Sequence, residues 1–151
     1  MIPPCVFAKP LVDYMNNPDV KKSLHVERAP YVWDLCNGTI NENYDHSKTG
    51  NGSIDVYERL YNKYRILKYS GDTDMAVPTY GTRDWIDNLN WEVTSYWRQF
   101  MVDGQVGGYV ETRNNGNFVF ATIHGAGHMA PQWRPGPTYR AVFNFINNRT
   151  L

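Results

Sequence analysis

Residues 117–123 read Asn-Phe-Val-Phe-Ala-Thr-Ile. In a strand, Phe118, Phe120 and Thr122 fall on one face and Val119, Ala121 and Ile123 on the other. Both faces are largely apolar, so this strand needs cover on both sides. The rest of the chain supplies candidate layers. Asn17 suits a helix N-cap, Pro18 the first helical position and Asp19 the positive end of the dipole. Val20 and Leu24 lie one turn apart, and this short helix is expected to end near Val26. Residues 36–51 are polar and turn-rich, as in a surface loop. Ser53 is placed to cap a second helix whose stripe is Ile54, Tyr57, Leu60, Tyr61 and Tyr64.

A strand over 65–70 then stops at the acidic turn Gly71-Asp72-Thr73-Asp74. Residues 79–89 read as a helix with Trp85 and Leu89 on one face. Strands are expected over 95–102 and 109–112, joined through Asp103-Gly104, and Asn115-Gly116 turns into the two-faced strand. After a loop over 124–137 comes a last helix, with Tyr139, Val142, Phe143 and Ile146 as its buried stripe. This order fits an α/β fold with helices on a mixed sheet.

A chain of 151 residues is long enough for a sizeable core. Its 15 basic and 15 acidic side chains balance, which argues against a nucleic-acid partner. No apolar run approaches the roughly 18 residues of a membrane span. The first five residues have neither the basic nor the apolar region of a signal peptide. Three glycosylation triplets nevertheless start at Asn37, Asn51 and Asn148. With two cysteines, Cys5 and Cys36, they favour a secretory-pathway protein with disulfides over one with two buried free thiols.

Two loops at strand ends concentrate ionisable groups: residues 71–78 and 124–131. In open α/β sheets the ligand crevice lies at the carboxyl ends of the strands. An acidic residue after one strand and a histidine after a later one suit an Asp–His pair, in which the carboxylate fixes the imidazole tautomer. Asp72 and Asp74 could equally hold backbone amides in a tight turn. His124 and His128, four apart, could share a metal on a helix. Gly125 and Gly127 between them oppose a helix and no third ligand stands out, so no metal and no cofactor is expected. His124 reads as a strand-end residue.

At these loops the chain resembles the serine carboxypeptidase family of the α/β-hydrolase fold. Ser70-Gly71-Asp72-Thr73-Asp74 with Val77-Pro78 is similar to that family's aspartate segment. Gly125-Ala126-Gly127-His128-Met129-Ala130-Pro131, followed by Arg134-Pro135, is similar to its histidine segment. Tyr14, Asn17-Pro18-Asp19-Val20 and Leu24-His25-Val26 resemble a short helix in the family's C-terminal part. Val106-Gly107-Gly108-Tyr109 resembles its glycine-containing strand. The resemblance implies that Asp74 and His128 are catalytic and that Asp72 is a structural turn residue. It implies substrate-pocket positions at Ala76, Val77 and Met129. It also implies that Cys5 and Cys36 pair with cysteines upstream rather than with each other.

No Gly-x-Ser-x-Gly nucleophile elbow occurs in the sequence. By the resemblance, residues 1–151 are then the C-terminal part of a mixed, mostly parallel α/β-hydrolase sheet, not a complete independent domain. The partner is an upstream segment or large chain carrying the serine, and the substrate is a peptide. The chain alone is expected to be inactive and to expose an apolar face or an unpaired strand edge. The location implied is vacuolar, lysosomal or secreted. The alternatives are an acyltransferase or hydroxynitrile lyase on the same triad, or a non-catalytic secreted binding module.

Overall fold

The structure is a computed structural model that describes residues 8–45, 47 and 52–151. Cys5 and Asn51 lie outside the described residues, and with them the pairing expected for Cys5 and the glycan expected at Asn51. The chain forms two compact units, Met1–Gly50 and Asn51–Leu151.

The first unit holds helices α1 (Lys9–Met15), α2 (Pro18–Ser23) and α3 (Gly38–Glu42). The Asn17 side chain caps α2 by accepting from the Asp19 N–H at 2.8 Å. That helix stops at Ser23, short of Val26, and His25 follows in the left-handed region (φ 59°). Neither α1 nor α3 follows from the sequence reading. The loop expected over 36–51 contains α3 because the Asn37 side chain caps it, accepting from the Ile40 N–H at 3.0 Å. Asn16 closes α1 and reaches a distant strip of chain. Its amide donates to the Trp33 carbonyl and its carbonyl accepts from the Trp33 N–H, both at 2.8 Å.

The second unit runs α4 (Ile54–Leu60), β1 (Ile66–Gly71), α5 (Thr79–Asn88), β2 (Val93–Val102), β3 (Gln105–Arg113), β4 (Phe118–Ile123), α6 (Ala130–Trp133) and α7 (Pro135–Ile146). Its sheet has the order β1-β4-β3-β2. β4 pairs parallel with β1 and antiparallel with β3, and β3 pairs antiparallel with β2. The sheet is mixed, as expected. The parallel majority is not found among these four strands: one ladder of three is parallel, because the β2–β3–β4 run is built from tight reversals. β1 and β2 each have one side without a strand partner among the described residues.

β4 occupies the interior position that its two apolar faces require. Phe118 and Phe120 pack with Ile86 of α5, and Tyr57, Trp85, Trp91 and Trp97 close that side. Ala121 and Ile123 pack with Phe100, Val110, Ala126, Ala130 and Ala141 on the other. Each large side chain buried this way contributes about 1.5–3 kcal/mol from removal of apolar area from water. Gly108 lets β3 lie close to β4. A Cβ there would sit 1.8 Å from the Thr122 carbonyl oxygen.

Two details of the helices differ from expectation. Ser53 precedes α4 but its side chain makes no capping bond. In α7 the buried residues are Thr138, Ala141 and Asn144, whereas Tyr139 and Ile146 are 65% and 69% exposed. Ala141 packs with Ala121 and Ile123 of the sheet, while Val142 and Phe143 of the expected stripe are half-buried.

Arg113 ends β3 as a buried cation. Its Nε donates to Glu111 Oε1 at 2.7 Å, and one Nη donates to the Ile86 carbonyl at 3.2 Å and the other to Asp87, tying the end of α5 to the sheet. Burial alone would lower its pKa. The bonds to Glu111 and Asp87 outweigh burial and raise it above the ordinary value. Breaking a buried pair leaves one charge uncompensated. Arg113→Met in the intact protein is therefore expected to cost about 3–5 kcal/mol, read from the denaturant midpoint. Arg113→Met combined with Glu111→Leu is expected to recover most of that loss.

Candidate active site

The parallel register of β1 and β4 decides where the chemistry collects. Gly71 lies opposite Ile123, so the two strands end level and their following loops leave the sheet side by side. The loops are then stitched together. The Asp72 N–H donates to the Ile123 carbonyl at 3.1 Å, and the Thr73 N–H and Oγ1 both donate to the Ala126 carbonyl, at 3.0 and 2.7 Å. Thr79 Oγ1 anchors the start of α5 by donating to the Gly71 carbonyl at 2.8 Å.

Gly71 permits this closeness. A Cβ there would stand 2.3 Å from the Ala126 oxygen and 2.4 Å from the Gly127 oxygen, both backbone atoms with little freedom to move. Gly71→Ala is expected to cost about 1–3 kcal/mol of stability from overpacking. Thermal unfolding reads the loss.

Asp74 lies at the centre of the stitched region, its side chain only 6% exposed. Oδ1 accepts from the N–H groups of Ala76 and Val77, at 2.8 and 3.0 Å. Oδ2 is 3.0 Å from Nδ1 of His128. Burial pushes the Asp74 carboxyl up, but the Val77 amide, His128 and the Ala76 amide together hold it below its ordinary value of 3.8. A lowered carboxylate contributes stability that is present above the unfolded value and lost as pH falls through the folded value. Acid titration of stability should therefore lose the Asp74 contribution only below about pH 4. Asp74→Asn should remove that part of the profile.

The His128 side chain is 60% exposed, and no group among the described residues hydrogen-bonds its Nε2. With Asp74 ionised and facing Nδ1, the imidazole proton sits on Nδ1 and the Nε2 lone pair is free. That arrangement can remove a proton from a hydroxyl presented to Nε2. A cleft lined by Leu67, Tyr69, Ser70, Asp74, Val77 and His128 runs along the free side of β1 to this pair. Another cleft, lined by Arg65, Arg98, Val119 and Phe145 among others, has no Asp, Glu or His side chain in its wall.

The other residues singled out in the sequence lie as follows. Val77 lines the cleft beside the pair, and Ala76 contributes its backbone N–H to Asp74. Met129 is 46% exposed next to His128, at the start of α6. Cys36 is exposed with a free thiol. Asn37 caps α3, and Asn148 is exposed just beyond α7, its side-chain oxygen accepting from Arg65. Among the described residues no group of three or more His, Cys, Asp or Glu could hold a metal ion. No helix among them is long and apolar enough to cross a membrane.

A second aspartate–histidine contact was not foreseen. Asp72 Oδ2 is 2.7 Å from Nδ1 of His124. The signal for it is the strand register, which the sequence alone does not display.

Comparison with known proteins gives the chain's relatives. A family model described as serine carboxypeptidase matches residues 3–148. Serine carboxypeptidase-like 20 of Arabidopsis thaliana is 34% identical over 135 residues, which are 87% of this chain and 26% of that protein. The lysosomal protective protein of Mus musculus is 34% identical over 150 residues, 96% of this chain and 31% of that protein. In fold, the chain is similar to a prohormone-processing carboxypeptidase from Saccharomyces cerevisiae. The TM-score is 0.61 at 22% identity, covering 97% of this chain and 34% of that one. The chain thus spans about a quarter to a third of the length of these proteins.

Proposed function

The chain belongs to the serine carboxypeptidase family, and from that premise we propose that Asp74 and His128 are the acid and base members of a Ser-Asp-His triad. The observation that carries the reading is the buried Asp74 bound to Nδ1 of a largely exposed His128 whose Nε2 is open. The serine comes from sequence outside these 151 residues, since no nucleophile elbow lies within them. The 151 residues alone are then inactive.

In the complete enzyme the serine Oγ attacks the last peptide carbonyl. His128 Nε2 takes the hydroxyl proton and delivers it to the departing amino acid, leaving an acyl-enzyme. Water then attacks the acyl carbonyl while giving a proton to Nε2, and His128 returns that proton to the serine Oγ as the acyl–oxygen bond breaks and the shortened peptide leaves. Asp74 stays ionised throughout, holds the Nδ1–H tautomer and stabilises the imidazolium that forms at each step. Val77 and Met129 border the place where substrate meets the triad, and Ala76 acts through its N–H on Asp74.

The serine-bearing segment docks along β1. The free side of that strand adjoins the cleft leading to the pair. Large apolar side chains are exposed on the two loops and the helices after them: Met75 (90%), Val77 (48%), Tyr80 (87%), Met129 (46%) and Trp133 (43%). Such surface is uncommon on a self-contained domain and marks an interface or binding groove. A secretory-pathway location, with the exposed Cys36 bonded to a cysteine elsewhere and glycans at Asn37 and Asn148, follows from the same reading.

The test is an assay of the full-length protein on a blocked dipeptide. Release of the free C-terminal amino acid is expected. Acyl transfer to an alcohol acceptor without that release, or cleavage of a hydroxynitrile instead, would replace the peptidase reading by one of the other reactions a triad can run.

A further inference from the structure

β1 and β4 end level, so the residue after each strand faces the other: Asp72 beside His124. The Asp72 carboxylate spans the gap between the two loops. Oδ2 is 2.7 Å from His124 Nδ1, and Oδ1 accepts from the Gly125 N–H at 2.7 Å. Gly125 is in the left-handed region (φ 69°), where the chain turns toward His128. This contact therefore fixes the histidine loop at its point of departure, four residues before His128. It also fixes the aspartate loop two residues before Asp74. The Thr73 bonds to Ala126 lie between the two aspartate–histidine contacts. The Asp72 and His124 side chains are 25% and 57% exposed, so the contact is on the surface and contributes little to the packed core.

We propose that Asp72 and His124 form a positioning latch that holds the Asp74–His128 pair in its working geometry. The inference rests on the catalytic roles given above to Asp74 and His128. It enlarges the purely structural turn role expected for Asp72. His124 acts through its Nδ1 donor. An asparagine side chain carries its Nδ2 donor at the same distance from the backbone as the imidazole Nδ1, so His124→Asn preserves the latch. His124→Leu fills similar space and has no donor. A latch that orients groups already bound to substrate governs kcat and leaves KM alone.

The test uses the full-length enzyme with His124→Leu, His124→Asn and Asp74→Asn measured in parallel. For His124→Leu, kcat is expected to fall about 10- to 100-fold, the range for a displacement of up to about 1 Å, with KM within roughly two-fold. His124→Asn is expected to restore most of kcat. The downfield proton resonance of the His128 Nδ1–H, identified by its loss in Asp74→Asn, should broaden in His124→Leu and sharpen again in His124→Asn. Unchanged kcat in His124→Leu, a change confined to KM, or equal behaviour of the Leu and Asn variants would overturn the latch. If Asp74→Asn itself kept full turnover, the triad assignment would fall and the latch with it. Loss in Asp74→Asn with none in His124→Leu would remove the latch alone.

Discussion

Replacing Asp74 by asparagine in the full-length enzyme is expected to lower turnover by about 10⁴-fold, the scale of the same exchange in serine proteases. The fold should survive, because the amide oxygen of an asparagine at this position can still accept from the Ala76 and Val77 N–H groups that now hold Oδ1. What changes is the atom opposite His128. The carboxylate Oδ2 becomes an amide NH₂, a donor, 3.0 Å from Nδ1. Nδ1 must then accept, which moves the imidazole proton to Nε2, and the base has no lone pair where the serine needs one. The loss should appear in kcat, with KM little affected, as for an interaction made in the transition state. Asp72→Asn is the control. It keeps an acceptor for the Gly125 N–H and leaves the tautomer of His128 untouched, so its effect should be orders of magnitude smaller. A larger loss from Asp72→Asn than from Asp74→Asn would reverse the roles.

His128→Gln is expected to be more severe, about 10⁶-fold in kcat, because it removes the only group among the described residues that is placed beside Asp74 to carry the proton. The informative measurement is the double variant. In the proposed triad Asp74 acts through the imidazole, so once His128 is gone Asp74 has nothing to orient. Asp74→Asn with His128→Gln should therefore be no slower than His128→Gln alone. Triad members fail as a unit in this way. Losses that multiplied would mean that Asp74 acts on substrate or fold by a separate route. The residual rate of the double variant should come from the binding and oxyanion groups of the rest of the enzyme.

Much of this was legible in the sequence, and the reasons are local. The pattern over 117–123 alternates large apolar side chains on both faces, and β4 is the interior strand with cover on both sides. The glycine-flanked loops after two strands marked where ionisable groups would gather. Their resemblance to the two family segments singled out Asp74 and His128 for catalysis. The unforeseen features depend on non-local geometry. Asp72 meets His124 because β1 and β4 are level, and no local pattern encodes the register of two strands separated by a helix and a hairpin. The buried side of α7 is Thr138, Ala141 and Asn144, spaced three apart, and Tyr139 and Ile146 lie off it. Within 36–51, the Asn37 side chain supplies a cap that turns polar sequence into helix α3.

The central claim is that His128 is the base for a serine supplied from outside this chain. The structure of the full-length enzyme tests it through one distance, from His128 Nε2 to the nearest serine Oγ. The account predicts about 2.6–3.2 Å, with that serine at a strand-to-helix elbow and Asp74 still on Nδ1. An Nε2 facing bulk solvent, with no serine hydroxyl within about 5 Å, well outside hydrogen-bond reach, would contradict it.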